Sequence, residues 1–294
     1  IGLGIPAEPL FRSMNLRQAG RQVQVRCFVL DRERQKFSDI HTRCIPLRSR
    51  WLEGKVPCRQ YSLLPCAGNA VPALPLTTLL DQLQTAAADA GRPPVRLLAV
   101  SKTQPAEAVA ALAAQGQQAF GENYVQEAVA KITALAGLKL EWHLIGHLQS
   151  NKAEAAATHF DWVQSVDRPK LVDALARHRP ADRQPLNVLI QVNIDDEQSK
   201  HGCSPDQVLP LAAAIAAQPA LRLRGLMAIP APHPESALRQ AAFARMAALM
   251  QTLQQTHPAA DTLSMGMSGD YAQAIAHGAT MVRIGTALFG PRAP

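Results

Sequence analysis

Cysteine is scarce beyond the first quarter of this chain, and its scarcity excludes several kinds of site. Four of the five cysteines lie within residues 1–72, and only Cys203 follows. No two cysteines have the C-x-x-C spacing common in structural zinc sites. His143 and His147 are four residues apart but straddle a predicted strand end, so we expect no metal site. Because the part beyond residue 72 resembles a reduced protein, we expect a cytoplasmic location.

Long apolar runs and a secretory signal are also missing. No apolar run approaches the length of a membrane span, and no segment has the basic, apolar and small-residue order of a signal peptide. The excess of positive charge is confined to one segment. Residues 1–72 hold 12 Lys and Arg and 5 Asp and Glu, and the difference accounts for the whole net charge of +7. The remaining residues are balanced, so we expect no membrane association and no specific nucleic-acid binding.

Residues 1–72 show no sustained helical or strand periodicity. They mix Arg, Pro, Cys and Gln with short apolar clusters, and the chain starts at Ile1. We expect a disordered or non-native extension here, with a small independent domain as the alternative. RNA binding through these arginines is a further hypothesis, although no interleaved aromatics support it.

From residue 73 onward, strand and helix patterns alternate to the end of the chain. A first helix begins near Leu76, and eight strands are predicted at Val95–Ser101, Gln118–Glu122, Leu140–Ile145, Trp162–Ser165, Asn187–Asn193, Leu221–Ile229, Thr262–Met265 and Met281–Ile284. Helices are predicted between them at Ala106–Ala114, Val125–Leu135, Ser150–Thr158, Pro169–Ala176, Pro205–Ala217, Glu235–Thr256 and Asp270–His277. Eight such units over about 220 residues favour a single-domain α/β fold of the (β/α)8 TIM-barrel type over residues 73–294. An open doubly wound sheet is the alternative, but no G-x-G-x-x-G follows the first strand.

Polar residues gather where these strands end, which is where α/β folds bind ligands. Lys102 follows the first strand in VRLLAVSKTQP and is either a solvated loop residue or a reactive amine on a rigid scaffold. Ser264, Gly266, Ser268 and Gly269 follow the seventh strand, and Gly285 and Thr286 follow the eighth. Barrels often bind phosphate at these two ends, although ordinary turn glycines are the alternative interpretation.

A phosphate site facing a strand-end lysine indicates a phosphorylated aldehyde held as an imine, and pyridoxal 5′-phosphate (PLP) fits that description. Arg283 is the candidate partner of the pyridine nitrogen. An arginine there would leave this nitrogen unprotonated and the ring a weak electron sink.

Seven motifs in order resemble the YggS/PROSC family of pyridoxal phosphate homeostasis proteins. They are AVSKTQP, FGENYVQE, WHLIGHLQSNK, VNIDDEQSKHG, GLMAIP, LSMGMSGDYAQAI and VRIGTALFG, and the resemblance runs from about Leu76 to Arg292. The resemblance implies a barrel of the alanine racemase N-terminal type, without that enzyme's second domain. Residues 1–72 match nothing in the family.

The resemblance also implies the function and the cofactor residues. PLP would form an imine with Lys102, Ser264, Gly285 and Thr286 would hold its phosphate, Asn123 and His143 would line it, and Arg283 would face its ring. The implied role is vitamin B6 homeostasis without accepted catalysis, with transfer of PLP to apo-enzymes as a further expectation. The alternative is a PLP-dependent enzyme resembling an amino-acid racemase. We expect a monomer, since no exposed apolar face stands out.

Overall fold

The chain forms two compact units, residues 1–69 and 70–294. In this computed structural model the described residues are 11–19, 22–31 and 36–46, by backbone path only, and 74–195, 201–231 and 235–290. The first unit contains three strands, β1 (Phe11–Ala19), β2 (Gln22–Asp31) and β3 (Lys36–Pro46), which pair antiparallel in the order β1-β2-β3. The sequence patterns do not predict these strands. The expected disordered or non-native extension over residues 1–72 stays a prediction, because most of that segment lies outside the described residues.

The second unit is a closed barrel of eight parallel strands. Its strands, in chain order, are β4 (Arg96–Val100), β5 (Ala119–Glu122), β6 (Glu141–Leu144), β7 (Trp162–Val166), β8 (Leu186–Gln191), β9 (Leu221–Met227), β10 (Thr262–Ser264) and β11 (Met281–Ile284). Each strand pairs with the next along the chain, and β11 pairs with β4 to close the sheet. This confirms the predicted TIM-type barrel, and all eight predicted strands are present.

Helices follow the strands and form the outer layer. They are α1 (Leu76–Asp89), α2 (Ala106–Ala113), α3 (Val125–Ala134), α4 (Ala153–His159), α5 (Pro169–His178), α6 (Val208–Ala216), α7 (Ser236–Thr256), α8 (Tyr271–Ala276) and α9 (Thr286–Phe289). Short 3-10 turns at Ser150–Lys152 and Pro205–Gln207 lead into α4 and α6. Only α9 is missing from the sequence prediction, because four residues are too few to show a helical period.

Side-chain alternation along β4 decides which residues face the barrel axis. Leu97 and Ala99 pack in the large core between the sheet and the helices, whereas Leu98 belongs to a separate interior cluster that Val100 packs against. Since successive side chains of a strand point to opposite faces, the next residue, Ser101, faces the helices. Lys102 follows at the mouth, where it lines the cavity described below.

The barrel interior is not uniformly apolar, because a network of hydrogen bonds runs along its axis. Arg96 and Glu141, at the amino ends of their strands, form an ion pair of 2.7 Å. Glu141 contacts Nε2 of His143, and Gln164 lies 2.9 Å from Nδ1 of the same ring. The network continues toward the carboxyl ends of the strands through two further bonds: Ser264 Oγ donates to Gln164 Oε1 at 2.7 Å, and Arg283 Nη1 donates to Ser264 Oγ at 2.8 Å.

The hydrogen-bond donors and acceptors in this interior polar network determine the tautomer of the His143 imidazole. The amide of Gln164 donates to Nδ1, so the imidazole proton resides on Nε2, which donates to the Glu141 carboxylate. Burial lowers the pKa of the fully buried His143, which outweighs the opposing effect of Glu141. Burial also raises the pKa of Glu141, but the bond from His143 and the charge of Arg96 outweigh it and bring the value to about 2.

We expect His143 to make the stability of the barrel depend on pH. Its pKa in the folded state lies below the ordinary value of 6.5, so the unfolded chain binds a proton that the folded chain excludes. The free energy of unfolding should therefore fall as the pH drops from about 7 to 5. The contribution of Glu141 is lost only at lower pH, between its ordinary value of 4.5 and about 2.

Urea unfolding of wild type, His143→Gln and His159→Gln at pH 5, 6, 7 and 8 measures this effect. His143→Gln should be less stable at pH 8 and should lose part of the pH slope, by at most about 1.4 kcal/mol per pH unit. His159→Gln, a change at the half-buried end of α4, should keep the wild-type slope. Parallel curves for wild type and His143→Gln would contradict a neutral, buried His143.

Candidate cofactor site

A cavity of about 520 Å³ opens at the carboxyl ends of the barrel strands. Five of the seven residues predicted to bind the cofactor line it: Lys102, Asn123, Arg283, Gly285 and Thr286. They come from the ends of β4, β5 and β11, which the barrel makes neighbours although they lie far apart in sequence. A single mouth therefore collects an amine, an amide, a guanidinium and two residues at the start of a helix.

Barrel closure places Lys102 beside the loop that follows β11. Arg283 pairs with Leu98 and Ile284 with Ala99, so Gly285 lies level with Val100. A Cβ at Gly285 would lie 3.1 Å from the Val100 carbonyl oxygen, closer than ordinary packing allows. Glycine at this position therefore keeps the gap between the two strand ends narrow. Helix α9 begins directly afterwards, and its first N–H groups, on Thr286 and Ala287, have no acceptor within the helix.

The turn after β10 supplies a second set of polar groups. Ser268 and Gly269 line the cavity just before α8, and a Cβ at Gly269 would meet only open space. The Asp270 carboxylate accepts from the Met267 N–H at 2.6 Å, which holds the turn in shape. Gly266 has a φ of +93°, and a Cβ there would lie 2.6 Å from that of Ala274, so glycine allows α8 to approach the strand end.

Arg283 is held rigidly at the floor of the cavity. Its Nη1 donates to the Ser264 carbonyl at 2.7 Å and to the Ser264 hydroxyl, and Nη2 donates to the Ala228 carbonyl at 2.7 Å. Burial lowers the pKa of Arg283 to about 10, an effect that Asp270 opposes, so the guanidinium remains charged at neutral pH. A guanidinium has five N–H donors, which leaves donors for a ligand in the cavity that this residue lines.

Two predicted cofactor residues, His143 and Ser264, do not line the cavity. Both are fully buried within the interior polar network, below Arg283. The one hydroxyl proton of Ser264 goes to Gln164, and both ring nitrogens of His143 already have partners. The structure places both residues in the layer that supports Arg283, and their contact with the cofactor stays a prediction. Strand-end position alone does not predict that His143 and Ser264 are buried within a hydrogen-bond network.

Several cavity residues were not assigned a role by the sequence patterns. They include Gln104, Gln191, Asn193, His147 and His201. The rings of His147 and His201 stack, with centroids 3.6 Å apart. Burial and the neighbouring His201 lower the pKa of His147. Both histidines follow strands, in WHLIGHLQSNK and VNIDDEQSKHG, so strand-end position is the signal that could have identified them.

A buried charge cluster beside Lys102 was also missed. Lys131 of α3 contacts Glu122 at the end of β5 and Glu127 one helical turn away. Burial raises the pKa of Glu122, although Lys131 and Ser101 oppose the shift. Lys131 looks like an ordinary surface residue of an amphipathic helix in the sequence, and only the fold reveals its burial.

Among the described residues, no group of three or more His, Cys, Asp or Glu is arranged to hold a metal ion. Burial raises the pKa of the Cys203 thiol to about 12, which makes it unreactive at neutral pH. Over the same part of the chain, no helix is both long enough and apolar enough to span a membrane.

Comparison with known proteins adds the family. Residues 75–293 match the family described as alanine racemase, N-terminal domain. Two proteins named pyridoxal phosphate homeostasis protein, from Pasteurella multocida and Escherichia coli, are each 53% identical to this chain over 223 residues. These residues are 74% of this chain and 96% and 95% of the two relatives.

Solved structures agree with this assignment. PipY of Synechococcus elongatus, determined without PLP, is 40% identical, with a TM-score of 0.67 over 73% of this chain and 98% of its own. A second PipY structure has PLP bound and a TM-score of 0.62 over 70% of this chain and 98% of its own. Alanine racemase from Corynebacterium glutamicum is 20% identical, with a TM-score of 0.54 over 76% of this chain and 64% of its own, and shares the fold alone.

The seven motifs, the closed barrel and these similarities agree, which confirms the resemblance found in the sequence. The chain belongs to the alanine racemase N-terminal domain family and, within it, to the pyridoxal phosphate homeostasis proteins.

Proposed function

We propose that this chain binds PLP as an imine on Lys102 and serves intracellular PLP homeostasis as a carrier rather than as a catalyst. The observation that carries the proposal is one cavity that joins Lys102, Arg283 and the two glycine-containing turns after β10 and β11. The relatives named for PLP homeostasis and the PipY structure with PLP bound support it.

Lys102 supplies the covalent link. Its amine condenses with the aldehyde carbon of PLP, and one water molecule is released. Lys102 is half-buried and lines the cavity, together with the other residues proposed to hold PLP.

Arg283 suits the ring nitrogen of PLP. It stays charged at neutral pH and has donors left after its three bonds to backbone and Ser264. A donor from this cation keeps the ring nitrogen unprotonated and weakens the ring as an electron sink. This weak sink favours retention of the cofactor over turnover of amino acids.

The phosphate fits between the two turns at the mouth. Thr286 and Gly285 offer a hydroxyl and backbone N–H groups on one side, and Ser268 and Gly269 offer the same on the other. In this proposal Ser268 takes the phosphate role that the family resemblance implied for Ser264, while Ser264 and His143 act through Arg283. Asn123 remains a cavity contact of the cofactor.

A racemase-like enzyme is the second candidate, and the stacked pair of His147 and His201 is the observation that favours it. A racemase needs a proton carrier besides the lysine, and an imidazole at the cavity is suitable. The carrier proposal also includes transfer of PLP to apo-enzymes, a monomeric state and a cytoplasmic location.

Borohydride trapping tests the covalent link. Wild-type protein mixed with PLP should show a yellow imine band, which borohydride converts to a stable adduct that peptide mass mapping places on Lys102. Lys102→Met should give no adduct, whereas Lys139→Met, a change at an exposed lysine, should behave as wild type. A colourless wild-type protein, or an adduct spread over other lysines, would sink the proposal.

Two serine variants test the assignment of the phosphate site. Ser268→Ala should weaken the binding of PLP about tenfold, because one hydrogen bond to a charged group is lost, and should leave the binding of pyridoxal, which lacks the phosphate, unchanged. Ser264→Ala should weaken PLP and pyridoxal by the same factor, because it acts through Arg283. Titrations followed by absorbance measure both. The reverse pattern would return the phosphate to Ser264.

Exchange of the alanine α-proton distinguishes the carrier proposal from the racemase-like candidate. In deuterated water, the NMR signal of the alanine α-proton should disappear no faster with the PLP-loaded protein than with free PLP. Exchange that is fast and is lost in Lys102→Met would favour the racemase-like candidate. The variants His147→Ala and His201→Ala would then identify the proton carrier.

A further inference from the structure

The two residues that flank Lys102 are held by a cluster of charged groups centred on one buried ammonium group. Lys131 Nζ lies 2.7 Å from the Ser101 carbonyl, 2.8 Å from Glu122 Oε1 and 2.7 Å from Glu127 Oε1. These three bonds use all three of its donors. Ser101, Glu122, Glu127 and Lys131 are called the Lys131 cluster below.

The Lys131 cluster holds the chain on both sides of Lys102. Before it, the Ser101 hydroxyl donates to Glu122 Oε1 at 2.5 Å, and the Ser101 carbonyl accepts from Lys131. After it, the Thr103 N–H donates to Glu127 Oε1 at 2.6 Å. Lys102 therefore projects from a three-residue segment that is fixed at both ends to carboxylates of β5 and α3.

The segment needs such support because its backbone is strained. Thr103 has a φ of +64° and is the one non-glycine residue with a positive φ in the described part of the chain. A β-branched residue rarely adopts this conformation, which persists only where surrounding bonds hold it. Two bonds hold it: the Gln104 N–H donates to the Ser101 carbonyl across the turn at 3.0 Å, and the Thr103 N–H donates to Glu127.

The cluster is built into the barrel rather than lying on its surface. The side chains of Lys131 and Glu122 are 7% and 0% exposed, whereas that of Glu127 is 28% exposed. Glu122 faces the helices because Gly121, its neighbour on β5, faces the interior beside Leu98 and Ile145. The strand therefore turns one carboxylate toward α3, where Lys131 meets it.

We propose that Lys131 and Glu127 are positioning residues that fix the direction in which Lys102 enters the cavity. They contact the segment that carries the lysine and act through it. The inference rests on the proposed attachment of PLP to Lys102. A lysine held in place loses less conformational freedom when the imine forms, so the cluster should strengthen covalent binding of PLP in particular.

Glu127→Ala is the sharpest test, because it removes the acceptor of the Thr103 N–H and leaves Lys131 paired with Glu122. Two ligands are compared by titration: PLP, which has the aldehyde, and pyridoxine 5′-phosphate, which fills the same cavity but cannot form an imine. Glu127→Gln keeps an oxygen that accepts from Thr103. Glu107→Ala is the matched control, an exposed carboxylate in the first turn of α2.

Glu127→Ala should bind PLP about tenfold more weakly and form the imine band more slowly, while its affinity for pyridoxine 5′-phosphate stays within about twofold. Glu127→Gln should recover most of the loss, and Glu107→Ala should match wild type. Retained binding of pyridoxine 5′-phosphate shows that the barrel is folded. The double change Glu122→Gln with Lys131→Met, which removes two buried charges together, should give the same selective loss for PLP.

Unchanged PLP affinity in Glu127→Ala, or an equal loss for both ligands, would overturn the positioning role. An equal effect of Glu107→Ala would overturn it too. A wild-type protein without a Lys102 adduct would instead overturn the proposed function, so the two failures are distinguishable.

Discussion

Parallel pairing of β11 with β4 is the interaction on which the site depends. It joins the last strand of the barrel to the first, and its register sets Arg283 against Leu98 and Gly285 level with Val100. A shift of β11 by one residue would turn Arg283 away from the axis that Lys102 faces, because side chains alternate between the two faces of a strand. The cavity therefore forms only when the whole barrel has closed.

Polar groups inside the barrel are tolerated because each strand contributes a partner for the next. The interior polar network gives Gln164, His143 and Ser264 partners for their donors and acceptors, so that burying them costs little beyond the lost hydration. The bond from Arg283 to Ser264 in this network helps to fix the orientation of the guanidinium. The floor of the cavity is thus determined by residues as distant as Arg96 and Glu141 at the opposite end of the barrel.

The fold could be predicted because each strand carries a local apolar run and each helix a local period. The cavity residues Lys102, Gly285 and Thr286 could be predicted because strand-end position alone places them at the mouth. The burial of His143 and Lys131 could not be predicted, because burial within a hydrogen-bond network depends on which strands become neighbours in the barrel. Strands β1 to β3 lie in a segment whose pattern has no sustained period of two, so nothing local indicated them.

The same geometry distinguishes holding a cofactor from using it. Covalent attachment needs one amine in a fixed direction, and the Lys131 cluster holds the residues on either side of Lys102. Turnover needs in addition an electron sink and a second proton carrier. In the proposed function, Arg283 is a cation whose donors meet the ring nitrogen and weaken the sink, whereas the stacked pair of His147 and His201 is the feature that favours turnover. This arrangement is the reason why we propose a carrier rather than a catalyst.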